Sequence, residues 1–252
     1  MSDTTSGTAL TILELYPEHL AINGDMGNVR VLKRRLELAG HTVKHLVHNP
    51  GDALPERPDL VTIGSGPGSA LAALADDVAV IAPTLRAWVA DGLPLLAVAG
   101  GYHLLGNSLG LSSGTIQGAG VFDAATDATA ARVVTGAFAI DTQLGRLIGI
   151  ENHGALTTLG ADQQSFGTTG SGRGNDGTGS EGARTGNAIG THSHGPVLAM
   201  NPVLADHLLR IALERRGSAY ETTAEHAKLD DLALQTRRLL VQGTTVEVGT
   251  AR

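Results

Sequence analysis

What most restricts the fold is a recurrence along the chain. Short apolar runs at Leu10 to Leu15, Leu60 to Ile63 and Leu95 to Val98 each end at a loop bearing glycine or proline and give way to a helical stretch. Apolar runs of this length read as buried strands, and strands that alternate with helices build a parallel sheet. A parallel sheet is buried on both faces, so helices must cover both, and function collects in the loops at the strand C-terminal ends. The expected fold is α/β, a doubly wound, mostly parallel sheet flanked by helices. The composition can supply its core from Leu, Val, Ile and Ala, since 42% of residues are hydrophobic but only 3% aromatic, and the 34 glycines suit many tight turns.

The periodic segment from Val29 to Ala39 places Val29, Leu32, Leu36 and Ala39 on one stripe, with Asn28 as a cap and Gly40 as its left-handed stop. Lys33-Arg34-Arg35 within it reads as a solvated face. A strand is expected over Thr42 to Val47, a helix from Ser69, and another over Tyr102 to Leu109. From Val121 to Ile150, including Arg132 to Ile140, short strands suggest a small antiparallel extension. Gln163 to Gly190 is rich in Gly, Ser and Thr and reads as a long loop over or beside the active site, or as a linker. Helices are expected over Pro202 to Arg215 and, behind a Thr222/Glu225 capping box, up to about Leu240 with Leu229, Leu232 and Leu239 on it. The division is a disordered tail over 1–8, one domain over 9–216 and a helical extension over 217–252.

A formal charge of -7 argues against a nucleic-acid binder. No stretch approaches the roughly 20 apolar residues of a membrane span, so no direct insertion is expected. Met1 to Thr8 has no signal-peptide pattern, which points to the cytoplasm. The absence of cysteine excludes disulfides, thiolate metal sites and a cysteine nucleophile.

The strongest motif is Leu95-Leu96-Ala97-Val98-Ala99-Gly100-Gly101-Tyr102-His103-Leu104-Leu105-Gly106. A strand that turns sharply into a helix presents one side chain at its tip and favours glycine beside it. Ala99 holds the tip. The same residues also suit a strand–helix junction whose glycines serve packing alone. Gly64-Ser65-Gly66-Pro67-Gly68 follows another strand and suits an oxyanion loop, because glycines let backbone N–H groups approach a developing charge. A dinucleotide turn fits it poorly, since Pro67 breaks the G-x-G-x-x-G spacing. Far downstream stands Gly190-Thr191-His192-Ser193-His194-Gly195-Pro196. A distant histidine is what acyl transfer needs to take a proton and return it to the leaving group. His192 and His194, with His153, could instead bind a metal, although no carboxylate stands at a ligand-like spacing beside them.

The elbow resembles that of class I glutamine amidotransferases, enzymes of flavodoxin-like fold in which a cysteine takes the place of Ala99. Further segments sharpen the likeness: Tyr16-Pro17-Glu18, Asn23-Gly24-Asp25-Met26-Gly27-Asn28, Glu151-Asn152-His153-Gly154, Gly174-Asn175-Asp176-Gly177 and Glu181-Gly182. In this order they resemble the glutaminase subunits of lipid II isoglutaminyl synthase, relatives of the cobyric acid synthase amidotransferase domain. The resemblance covers about Leu10 to Leu213. It implies His194 as general base, Gly64, Gly66 and Gly100 at the oxyanion and substrate pocket, and Arg132 as a glutamine contact. It implies L-glutamine as substrate and a heterodimer with a Mur-ligase-like synthetase that amidates the D-glutamate of the peptidoglycan stem. No metal or other cofactor is expected on this subunit, with ATP and Mg on the partner.

Two departures matter. Pro196 occupies the place where class I enzymes often carry a glutamate that orients the histidine, so a carboxylate from a partner is expected to complete the relay. Ala99 offers no sulfur, so no thioester can form. Either a cysteine has been exchanged for alanine or the chain is a natural non-catalytic subunit. Within the same fold the acceptor could also be a corrinoid, but no ATP-binding synthetase domain accompanies this chain.

Overall fold

A computed structural model describes residues 8–129 and 134–243. The expected tail at 1–8 thus falls, but for Thr8, outside the described residues, as does Arg132. The chain opens with β1 (Ala9–Leu15), α1 (Met26–Leu38), β2 (Thr42–His48), β3 (Leu60–Ile63), α2 (Gly68–Ala73), α3 (Ala75–Ala90), β4 (Leu95–Val98) and α4 (Gly100–Leu104). Short strands follow: β5 (Ser108–Leu111), β6 (Gly114–Gln117), β7 (Ala124–Asp127), β8 (Val134–Thr142), β9 (Gly145–His153), β10 (Leu156–Leu159), β11 (Gly167–Ser171) and β12 (Ser180–Glu181). The last part holds β13 (Ala183–Thr185), β14 (Ala188–Thr191), β15 (Ser193–His194), α5 (Val197–Met200), α6 (Pro202–Glu214) and α7 (Ala224–Gly243).

The central sheet has the order β13-β14-β4-β3-β1-β2, with every pairing parallel except β13 to β14. Its strands send alternate residues to opposite faces. Leu13, Leu15, Val61, Ile63, Leu95 and Ala97 join the α3 side, which holds Val78, Ile81, Leu85 and Trp88. Leu10, Ile12, Leu60, Leu96 and Val98 join the other side, against Leu32 and Leu36 of α1 and Leu204 and Leu208 of α6. Both faces are therefore dry, and each fully buried leucine contributes about 1.5–3 kcal/mol. That is the doubly wound sheet the alternation implies. The extension is larger than expected: one five-stranded antiparallel sheet, β12-β11-β8-β9-β15, and one four-stranded mixed sheet, β10-β7-β5-β6.

Several local readings change. Asn28 does not cap α1. It lies buried inside the helix, where its Oδ1 accepts the Leu198 N–H at 3.0 Å, while Asp25 takes the N-terminal position. The helix expected to reach Leu109 stops at Leu104, and Ser108–Leu111 forms β5, paired with both β6 and β7. The stretch 163–190 is not a loop: it supplies β11, β12, β13 and most of β14, and its Glu181 and Asn175 are fully buried. Its polarity serves an internal hydrogen-bond network. α7 is headed by Thr223, whose N–H and hydroxyl both approach His226 Nδ1 at 3.0 Å, in place of a Thr222/Glu225 box. It buries Ala233 and His226 and leaves Leu229, Leu232 and Leu239 exposed. Among the described residues, no helix is long and apolar enough to cross a membrane.

Arg35 is the largest correction, because it is 2% exposed and not on a solvated face. Its Nε and Nη2 donate to the two Asp206 oxygens at 2.6 and 2.7 Å, and Nη1 donates to Asp230 Oδ1 at 2.7 Å. One guanidinium thus fastens α1 to α6 and α7, and its fork geometry suits the bidentate carboxylate. Removing one partner of a buried ion pair leaves the others uncompensated. Arg35→Ala is expected to lower the unfolding free energy by about 3 kcal/mol in urea titrations, with Arg35→Lys falling between it and the parent.

Candidate functional site

The site lies at the C-terminal ends of β3, β4 and β14, where a parallel sheet presents its loops. Val98 ends β4 and Ala99 turns with φ 41° and ψ -102°, a conformation that costs an L-residue about 1–3 kcal/mol. The turn is pinned on each side: the Ala99 N–H donates to the Thr191 carbonyl at 2.8 Å, and the His103 N–H donates to the Ala99 carbonyl at 2.8 Å. Gly101 passes so close to β3 that a Cβ there would stand 2.6 Å from the Gly64 carbonyl oxygen and 2.9 Å from that of Ile63. The Gly101 N–H also donates to the Gly64 carbonyl at 2.9 Å. Glycine at 101 is thus a steric requirement, and the elbow has the form expected from the sequence.

A pocket of about 210 Å³ opens on the elbow, with Ser65, Gly66, Ala99, Gly100, His103 and His153 in its wall. Gly66 and Gly100 both line it. Gly64 does not line it; its part is the close contact under Gly101. His194 is 1% exposed and does not line the pocket. Hydrogen bonds run from the elbow as far as Asp25, whose carboxylate stands beside the ring. The Gly100 N–H donates to Ser65 Oγ at 3.1 Å, the Ser65 N–H donates to Asp25 Oδ2 at 2.8 Å, and Asp25 Oδ1 lies 3.7 Å from His194 Nδ1. Neither ring nitrogen of His194 has a hydrogen-bond partner among the described residues, and neither has Asp25 Oδ1. A carboxylate from this chain therefore stands beside His194, where one from a partner was expected. Its position in sequence, 169 residues before the histidine, gave no sign of this.

A second polar cluster borders the pocket. His153 stacks on His192 with ring centroids 4.1 Å apart and planes at 20°, and His192 Nε2 meets His103 Nε2 at 3.1 Å. His153 Nε2 lies 2.8 Å from Glu151 Oε1, and Glu151 also accepts the N–H groups of Arg173 and Gly174. Burial works against the Glu151 charge, but His153 and these two amides hold its carboxyl below the usual range. Burial, reinforced by the neighbouring histidines, pushes His103 and His192 far below the ordinary imidazole value and keeps them neutral. It also pushes Glu181 up to about 7, against the hydrogen bonds from Thr191 and His192. Stacked rings cannot aim their nitrogens at one ion, and among the described residues no three His, Asp or Glu side chains are placed to hold a metal. Of the carboxylates near these histidines, Glu151 stands two residues before its partner His153 on one strand, whereas Glu181, eleven residues before His192, has no spacing that marks it.

Residues 11–202 match the model of the CobB/CobQ-like glutamine amidotransferase domain. The chain is 32% identical to the lipid II isoglutaminyl synthase (glutamine-hydrolyzing) subunit GatD of Staphylococcus aureus, over 84% of this chain and 88% of the relative. The subunit of the same name from Streptococcus pneumoniae is 30% identical over 82% of each. Among solved structures, a glutamine amidotransferase superposes with TM-score 0.55 at 20% identity, covering 79% of this chain and 98% of the other. PurLQS from Thermotoga maritima superposes with TM-score 0.51 at 13% identity, covering 84% and 100%. The likenesses to solved structures carry the fold alone.

The raised Glu181 carboxyl makes stability depend on pH. Between the ordinary carboxyl value of 4.5 and about 7 the folded chain holds a proton that the unfolded chain has released. Its contribution is complete below 4.5 and is lost as pH rises through about 7. The neutral His103 and His192 work the other way, adding stability as pH rises through 6.5, so the contribution of Glu181 is read as a difference: the urea midpoint of the parent relative to that of Glu181→Gln is expected to fall between pH 5 and pH 8.

Proposed function

The chain belongs to the CobB/CobQ-like glutamine amidotransferase family, and from that membership we propose that it is the glutaminase-type subunit of a lipid II-amidating synthetase, able to bind L-glutamine but unable to cleave it because residue 99 is alanine. In the working form of such a site, a cysteine at the tip attacks the glutamine carboxamide carbon while His194 takes the thiol proton. The Gly66 N–H and the Gly100 N–H, the latter giving up Ser65 Oγ, would take the oxyanion, the proton returns to the departing ammonia, and water then hydrolyses the thioester to glutamate. A Mur-ligase-like partner holding ATP and Mg spends that ammonia on the D-glutamate of the peptidoglycan stem. Arg132 is assigned to glutamine binding by family likeness, and the cytoplasm is where such a partner works.

The observation that carries this reading is the backbone of residue 99. A methyl group has no need of φ 41°, yet the strained turn remains, hydrogen-bonded on both sides and connected through Ser65 and Asp25 to His194. A non-catalytic scaffolding subunit is the second reading, favoured by Ala99 itself. Calorimetry and one substitution separate the two. The parent chain with its synthetase is expected to bind glutamine and release no glutamate, and Ala99→Cys is expected to raise glutamate release by at least about 10³-fold. No glutamine binding, together with a silent Ala99→Cys, would leave the scaffold.

A further inference from the structure

Between two sheets the chain changes partner at a single residue. β14 pairs with β4 of the central sheet up to Thr191, β15 pairs with β9 of the antiparallel sheet from Ser193, and His192 alone lies between. A strand that leaves one ladder for another strands the backbone groups at the corner, and a buried N–H there needs an acceptor. One side chain meets that need. Glu181 Oε1 accepts the Thr191 hydroxyl at 2.6 Å and the His192 N–H at 2.9 Å, while its Oε2 lies 3.0 Å from His192 Nδ1. The Thr191 hydroxyl in turn accepts the Ser193 N–H at 3.0 Å. Glu181, Thr191, His192 and Ser193 are all fully buried, so solvent cannot replace any of these bonds.

We propose that Glu181 is the positioning residue for His194: its carboxylate fixes the corner from which the two-residue strand bearing His194 departs, and so sets the place of that imidazole relative to the elbow. This rests on the reading above that His194 is the base. The corner is bound to the elbow directly, since the Thr191 carbonyl takes the Ala99 N–H. It also fixes a tautomer. An ionised Glu181 requires the proton of His192 on Nδ1, which leaves Nε2 to accept from His103. Glutamine at 181 keeps the size of the side chain but turns an N–H toward His192 Nδ1, and the proton must move to Nε2.

Two measurements on Glu181→Gln test this. In the parent chain at pH 8, long-range proton–nitrogen spectra are expected to show His192 protonated on Nδ1, and on Nε2 in the variant. The ring proton resonances of His194 should also shift, because the strand that carries it leaves the corner at His192. In the Ala99→Cys background, kcat for glutamate release should fall by about 10²-fold with KM within about threefold, as a misplaced base predicts. Thermal melting of each protein confirms that it is folded. Unmoved His194 ring resonances overturn the proposal whatever the kinetics show. A silent Ala99→Cys refutes the glutaminase reading instead and leaves the spectra to decide this one.

Discussion

Everything at the site hangs from the pairing of β14 with β4. Four registered residues, Ala188 to Thr191 against Leu95 to Val98, bring a segment from the last third of the chain alongside the strand that ends in the elbow. Without that ladder Ala99 would lose the acceptor of its N–H, and the corner at His192 would have no fixed origin. The sheet in this sense does more than carry loops. It sets the separation between the tip and the histidine strand by backbone hydrogen bonds, which are far less tolerant of drift than a contact between side chains.

The parts of this arrangement that were legible in the sequence are the local ones. Leu95 to Val98 read as a buried strand because its neighbours in the chain, Gly100 and Gly101, declare the turn that follows. That Gly66 and Gly100 belong to one pocket came from the family resemblance, because two strand ends far apart in the chain do not by themselves say that they meet. Arg35 misled because amphipathic counting sends a guanidinium to solvent, whereas Asp206 and Asp230, far along the chain, make a dry place for it. The stretch 163–190 misled for the same reason. Its polar residues look solvated one by one, and only the folded chain shows that Glu181 and Asn175 satisfy backbone groups inside. Asp25 beside His194 and Glu181 beside His192 have no spacing that would single them out.

Membership of the amidotransferase family and the persistence of the elbow pull against the alanine at its tip. Strain of this kind survives only where surrounding bonds over-determine it, and here two backbone hydrogen bonds and the Gly64–Gly101 approach do so. The geometry is therefore held by the scaffold and not by the side chain at 99. The shape of the elbow and the side chain at its tip are thus specified by different residues.

The order of the central strands has a consequence for biosynthesis. β4 is flanked by β3 on one side and by β14 on the other, and almost a hundred residues separate β4 from β14. On the ribosome, a nascent chain that has released β4 but not yet Ala188 presents an unpaired edge of four apolar residues. Until the distant strand arrives, that edge is a template for the wrong neighbour, which makes synthesis of the intervening strands a kinetic hazard as well as an architectural step.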